Sequence, residues 1–190
     1  MEISLIRHGK SRCTENNRIT CEHFKDWIET YDDNGVFEES SYPPETREKI
    51  TSATMVITSD LKRSVESAKL LHPNNFTATP VPLFRETELP VPLTKLWGIK
   101  LPPTIWAVIF RCLWFSGYSS QCEPLSKAKQ RAKKAAQQLV EYAKEHHSVV
   151  LVGHGFFNLL LAKELQKMGW KGKKKTSSKH WNCTTYSFFN

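Results

Sequence analysis

Cysteine and glycine are scarce in this sequence, and no apolar stretch is long. The five cysteines, Cys13, Cys21, Cys112, Cys122 and Cys183, are odd in number and contain no C-x-x-C pair, which argues against a disulfide framework and a zinc ribbon. Reduced cytoplasmic thiols are the plain reading. Glycine, at 8 residues, is too rare for a collagen-like repeat. The longest apolar run, Ile105 to Phe115, is broken by Arg111 and falls short of the roughly 20 residues a bilayer span needs. No membrane association is expected. The first residues, Met1-Glu2-Ile3-Ser4-Leu5-Ile6-Arg7-His8, place an acid and then a cation where a secretory signal needs an apolar core. They read as a first strand instead.

What the chain does have is an ordinary globular composition and an unusual charge. Its 190 residues, 39% hydrophobic against 24% charged, fit one domain able to bury a core without staples. Its 27 Lys and Arg against 19 Asp and Glu leave +8. Such a balance suits an acidic partner: nucleic acid, membrane lipid or a phosphorylated small molecule.

The pattern along the chain alternates between strands and helices. Ile3 to Ile6, Met55 to Thr58 and Val149 to Val152 are β-prone apolar runs, and Thr184 to Phe189 is a last strand. The Val149 run lacks alternation, as a strand covered on both faces would. Ser59 and Asp60 offer caps to a helix whose apolar positions are Leu61, Val65, Ala68 and Leu71. Leu125, Ala128, Ala132, Ala135, Leu139 and Ala143 form a stripe on a long amphipathic helix ending near His146, and Phe156 to Met168 is another helix. Ile105 to Phe115 reads as a mostly buried helix. Residues 32 to 49 read as a turn-rich surface connection marked by Pro43 and Pro44, and six of the ten prolines make Pro80 to Pro103 extended. The expected fold is therefore α/β, a single three-layer domain over residues 1 to 190, with a mostly parallel central sheet flanked by helices.

Ligands of such folds bind at the carboxyl ends of strands. Three of those ends carry Arg7-His8-Gly9, Ser59-Asp60-Leu61-Lys62-Arg63 and Gly153-His154-Gly155. Two arginines and two histidines at one sheet edge would make an anion site. Forked guanidinium groups suit a phosphate, and a neutral imidazole can act as its nucleophile.

Leu5-Ile6-Arg7-His8-Gly9-Lys10-Ser11 resembles the R-H-G signature of the histidine phosphatase superfamily, which includes the phosphoglycerate mutases. Thr58 to Ser64 is similar to its S-x-L-x-R segment, Leu83-Phe84-Arg85-Glu86 to its acid-bearing segment, and Val152-Gly153-His154-Gly155 to its second-histidine segment. The resemblance implies a phosphoglycerate mutase-like fold. It also implies that His8 is the catalytic nucleophile and becomes phosphohistidine, that Arg7, Arg63 and His154 hold the phosphoryl oxygens, and that Glu86 gives the leaving oxygen its proton. No cofactor and no metal ion are implied.

Two departures stand out. Thr14 occupies a position where many members carry a phosphate-contacting Asn, with Arg18 as the alternative contact. Glu88 competes with Glu86 for the acid role. Residues 87 to 124 read as an insertion or lid over the site, from which Trp106 would touch the organic part of the substrate. The preferred expectation is a cytoplasmic, metal-independent phosphatase acting on a small phosphorylated substrate. A phosphoglycerate mutase-type transfer enzyme is the alternative, and a non-catalytic phosphate-binding or protein-interaction module is the alternative of another class. The lysines around Lys127 to Lys134 and Lys171 to Lys175 read as a solvated surface, without specific nucleic-acid binding.

Overall fold

Strand β1 (Glu2–Arg7) lies near the middle of a six-stranded sheet, hydrogen-bonded in parallel to β4 (Ser148–Gly153) on one side. The computed structural model describes residues 1–72, 77–91 and 98–189. Beyond β4 come β2 (Met55–Thr58) and the short β3 (Ala78–Pro80), both parallel. On the other side of β1, β6 (Cys183–Ser187) runs antiparallel to it, and the two-residue β5 (Lys171–Gly172) pairs antiparallel with β6. The strand order is β3-β2-β4-β1-β6-β5. This is the single α/β domain with a mostly parallel sheet that the alternation predicts.

Alternate residues of the central strands feed two separate cores. Val149 and Leu151 of β4, with Ile3 and Leu5 of β1, pack against α5 (Leu125–His146) and α6 (Gly155–Lys167). Val150 and Val152, with Ile6, pack instead against α2 (Pro44–Ser52) and α3 (Lys62–Leu71). Both faces of β4 are thus covered, which is why its sequence shows no polar alternation. On α5 the buried stripe is mostly alanine, Ala128, Ala132, Ala135, Ala136 and Ala143. Small side chains let a helix of this length lie close to β1, β4 and α6. Truncating a side chain at the centre of this packing, such as Leu151→Ala, would cost about 2–5 kcal/mol.

Several expectations need correction. The stretch read as a surface connection contains α2, and Pro44 begins it: proline has no N–H to leave unsatisfied at the first helical position, and its fixed φ suits the helix. Thr46 and Ile50 of this helix are buried. A further helix that the pattern did not predict, α1 (Phe24–Asp33), precedes it, anchored by buried Phe24. Helix α3 begins without a side-chain cap, and Ser59 is used elsewhere. The aromatic helix α4 (Pro103–Phe115) is only half buried. Trp106, Phe110 and Trp114 face inward, while Ile105, Val108 and Phe115 are 46%, 61% and 51% exposed. Pro92 and residues 92–97 of the expected insertion lie outside the described residues. Among the described residues, no helix is long and apolar enough to cross a membrane.

Candidate active site

Strand register brings the two histidines together. Arg7 pairs with Gly153 at the carboxyl ends of β1 and β4, so the next residues, His8 and His154, emerge side by side. The His8 N–H donates to the Gly153 carbonyl at 2.9 Å, continuing the ladder by one bond. Their rings lie 5.1 Å apart between centroids, tilted by 57°. Strand β2 ends one residue along, Thr58 opposite Val152, and this delivers Ser59 beneath His154, with its Oγ 2.6 Å from His154 Nε2.

The hydrogen bonding of His8 selects its tautomer. Nδ1 lies 2.7 Å from the Gly9 carbonyl, which can only accept, so Nδ1 carries the proton and Nε2 keeps a free lone pair. Burial, reinforced by the positive charges of Arg63 and Arg7 and by His180, pushes the His8 pKa well below the ordinary imidazole value. His154 is lowered by burial, Arg63, His8 and Arg7 in turn. For both rings burial first, and the neighbouring arginines second, favour the neutral form. The His8–Gly9 turn is fixed from several sides. Gly9 N donates to Ser67 Oγ, and His180 Nδ1 donates to the His8 carbonyl at 2.9 Å. A Cβ on Gly9 would fall 2.0 Å from the ring of Trp181, so only glycine lets the indole close over the turn.

Around the histidines, three buried nitrogens lack a hydrogen-bond partner: Arg7 Nε, Arg63 Nε and His154 Nδ1. Buried polar groups are normally satisfied, and a cluster of donors without acceptors marks a place for an anion. Arg63 enters from the first turn of α3, buried, with its Nη1 on Asp32 and its guanidinium over the Tyr31 ring at 5.1 Å. Arg7 donates through Nη1 to the Ser178 carbonyl. Gly155 opens α6 beside Arg7, where a Cβ would stand 3.1 Å from the Arg7 Nε.

Glu86 closes the opposite side. Its Oε2 accepts from Phe156 N–H at 3.0 Å and its Oε1 from Phe157 N–H at 2.8 Å, so the carboxylate sits on the N-terminus of α6, where the helix favours negative charge. Glu88 points elsewhere and accepts from the Glu123 N–H at 2.9 Å. Arg131 holds the segment leading to Glu86 through the carbonyls of Leu83 and Arg85, at 3.0 and 2.8 Å, while it pairs with Glu123. A cavity of about 410 Å³ opens between Arg7, Glu86 and the start of α6, continuing to Arg111, Lys175 and Ser178.

The structure therefore gathers Arg7 with His8, Arg63, Glu86 and His154 from four separate segments. It does not bring Arg18 or Trp106 to the cavity wall. Arg18 is exposed, and Trp106 is buried with Cys21, Phe24 and Phe110, its Nε1 donating to the Ile19 carbonyl. Sequence reasoning missed Asp32, Ser59, Arg111 and His180. A cation interrupting an otherwise apolar helix was a usable signal for Arg111. Nothing local distinguished His180, whose ring lies 5.4 Å from that of His8.

No curated protein sequence matches the chain. Solved structures do. Over 99% of this chain and 91% of the other, it is similar to Rv3214 from Mycobacterium tuberculosis, with a TM-score of 0.58 at 15% identity. The phosphoserine phosphatase of Entamoeba histolytica matches over the same shares with a TM-score of 0.57 at 15% identity. The α-ribazole phosphatase of Shigella flexneri, also 15% identical, covers 97% of this chain and 89% of its own, with a TM-score of 0.54. At these identities the likeness speaks for the fold. The sequence model of the histidine phosphatase superfamily, branch 1, matches residues 45–188, and with that match the chain belongs to this family.

Proposed function

We propose that this chain is a phosphatase that hydrolyses a small phosphate monoester through a phosphohistidine at His8, without a metal ion. The observation that carries the reading is the pairing of a nucleophile with an empty donor set. His8 is held as the tautomer with a free Nε2, and three buried donors beside it lack acceptors. A phosphate dianion would satisfy Arg7 Nε and Arg63 Nε with charge-assisted hydrogen bonds. His154 Nδ1 would complete the set, donating when the Nδ1–H tautomer is present. The phosphatase names of the structural neighbours agree with this reaction class.

In the first step, His8 Nε2 attacks phosphorus as the bond to the ester oxygen breaks. The leaving oxygen takes a proton from Glu86, and the phosphoryl group stays on Nε2. An incoming dianion favours a proton on a neighbouring carboxyl, and Glu86 stands in the cavity wall where an ester oxygen would arrive. In the second step, water attacks the phosphorus, Glu86 accepts its proton, and Nε2 leaves with its electron pair. Charge developing on the phosphoryl oxygens is met by donors already in place, which is where most of the rate gain in phosphoryl transfer arises.

Steady-state assays with p-nitrophenyl phosphate in EDTA, comparing the native chain with His8→Ala, test this. Turnover that survives EDTA and is lost in His8→Ala supports the reading. Turnover retained by His8→Ala overturns it.

A further inference from the structure

The cavity that opens between Arg7 and Glu86 holds more positive charge than a simple phosphate monoester requires. Arg7 stands at one edge, against Gly155. One residue further along α6, Phe156 carries the Arg111 guanidinium on its ring at 4.5 Å. Arg111 and Lys175 both line the cavity, and Glu86 is the single acidic residue among those that do. Among the described residues, neither Arg111 nor Lys175 forms an ion pair.

Arg111 is an unusual cation. It projects from the otherwise apolar α4, half-buried between the Trp114 and Phe156 rings, and desolvation lowers its pKa. Its Nη1 donates to Thr87 Oγ1 at 2.7 Å and its Nη2 to the Thr87 carbonyl at 3.0 Å. The carboxylate of Glu86 acts on it from a distance without forming an ion pair, so its direct hydrogen-bond partners are neutral oxygens. Lys175 arrives from the opposite side, on the loop whose Ser178 carbonyl accepts from Arg7.

We infer that Arg111 and Lys175 form a second anion subsite, and that the substrate is a phosphate ester bearing another anionic group, carboxylate or phosphate, a few atoms from the ester oxygen. The inference rests on the phosphatase reading above. Placement supports it: Arg7 and Arg111 lie against consecutive residues of one helix, Gly155 and Phe156, and line the same cavity. Size supports it too. At about 410 Å³ the cavity is near the small end of the roughly 300–1,000 Å³ typical of ligand pockets. Phe156 and Leu159 supply its apolar side chains, against which an organic link between two charges can lie.

The test compares kcat/KM for three esters: ethyl phosphate, 2-phosphoglycolate, which replaces the methyl group by a carboxylate, and propane-1,3-diol bisphosphate. The native chain is expected to favour at least one doubly anionic ester over ethyl phosphate by about 10-fold or more, the scale of one charge-assisted contact. Arg111→Met and Lys175→Met should each lose more on that ester than on ethyl phosphate, so the preference narrows. A merely structural Arg111, acting through Thr87 on Glu86, would lower all three equally. Calorimetry on His8→Ala measures the same preference without turnover. If p-nitrophenyl phosphate is not hydrolysed yet His8→Ala still prefers the charged ester, the phosphatase reading fails and the subsite stands. Equal kcat/KM for all three esters, or equal affinities in His8→Ala, overturns the subsite.

Discussion

The Oγ of Ser59 lies 2.6 Å from Nε2 of His154, although the two residues stand 95 positions apart in the chain. The contact fixes the second imidazole at the level of the first and leaves His154 Nδ1 as a buried nitrogen without a partner. His154→Ala is expected to lower kcat by about 10²–10³, the cost of removing one preorganised donor to a developing oxyanion. Ser59→Ala should lower it less, because the ring remains. Single-turnover rates on p-nitrophenyl phosphate check both.

Replacing Glu86 by Gln keeps an acceptor for the N-terminus of α6 and removes the transferable proton. We expect kcat to fall by about 10²–10⁴ for alkyl phosphates and by much less for p-nitrophenyl phosphate, whose leaving group needs no proton. An equal loss on both ester types would assign Glu86 to the architecture of α6 rather than to proton transfer.

Burial holds His8, His154 and His180 below the ordinary imidazole value near 6.5. The unfolded chain therefore binds more protons than the folded one as pH drops through 6.5. Stability is fully present above that value and is lost on acidification, by about 1.4 kcal/mol per pH unit for each of the buried His8 and His154 while it stays neutral, and by less for the partly solvated His180. Urea midpoints between pH 5 and 8 measure the slope. Inorganic phosphate should flatten it, because a bound dianion favours protonated imidazole.

Gly9→Ala would drive a methyl group into the Trp181 indole, 2.0 Å away. Trp181 is 3% exposed and belongs to the core beneath β1 and β4. A cost of about 1–3 kcal/mol is expected from overpacking, read as a lowered urea midpoint. Trp181→Phe in the same background should recover part of it.

Much of the sheet was legible because its central strands are buried on both faces and therefore have unmixed apolar sequences, Val149 to Val152 above all. The edges were not. Lys171–Gly172 and Ala78–Pro80 are too short to carry a pattern, and they pair only because a neighbouring strand offers free groups. Helices α1 and α2 were missed because each buries only one or two side chains, Phe24 in one and Thr46 with Ile50 in the other. In α4 the apolar residues run right round the helix, so periodicity could not separate the buried Trp106 from the exposed Val108.

The candidate site was legible where chemistry sits directly after a strand, at Arg7-His8, Arg63 and His154. It was not where a distant side chain completes the pocket. Asp32 on Arg63, Arg131 on the Leu83 and Arg85 carbonyls, and His180 on the His8 carbonyl are placed by tertiary structure alone. Arg131 stood among basic residues read as a solvated surface. Its guanidinium instead lies over the Phe157 ring at 4.0 Å.

The central claim is that Nε2 of His8 carries the phosphoryl group. A rapid-quench reaction with a ³²P-labelled phosphate ester, in EDTA, followed by peptide mapping, tests it most directly. The account predicts acid-labile, base-stable label on the peptide containing His8, absent from His8→Ala. Catalytic turnover with no label trapped at His8 under any quench time, or label on another residue, would contradict it.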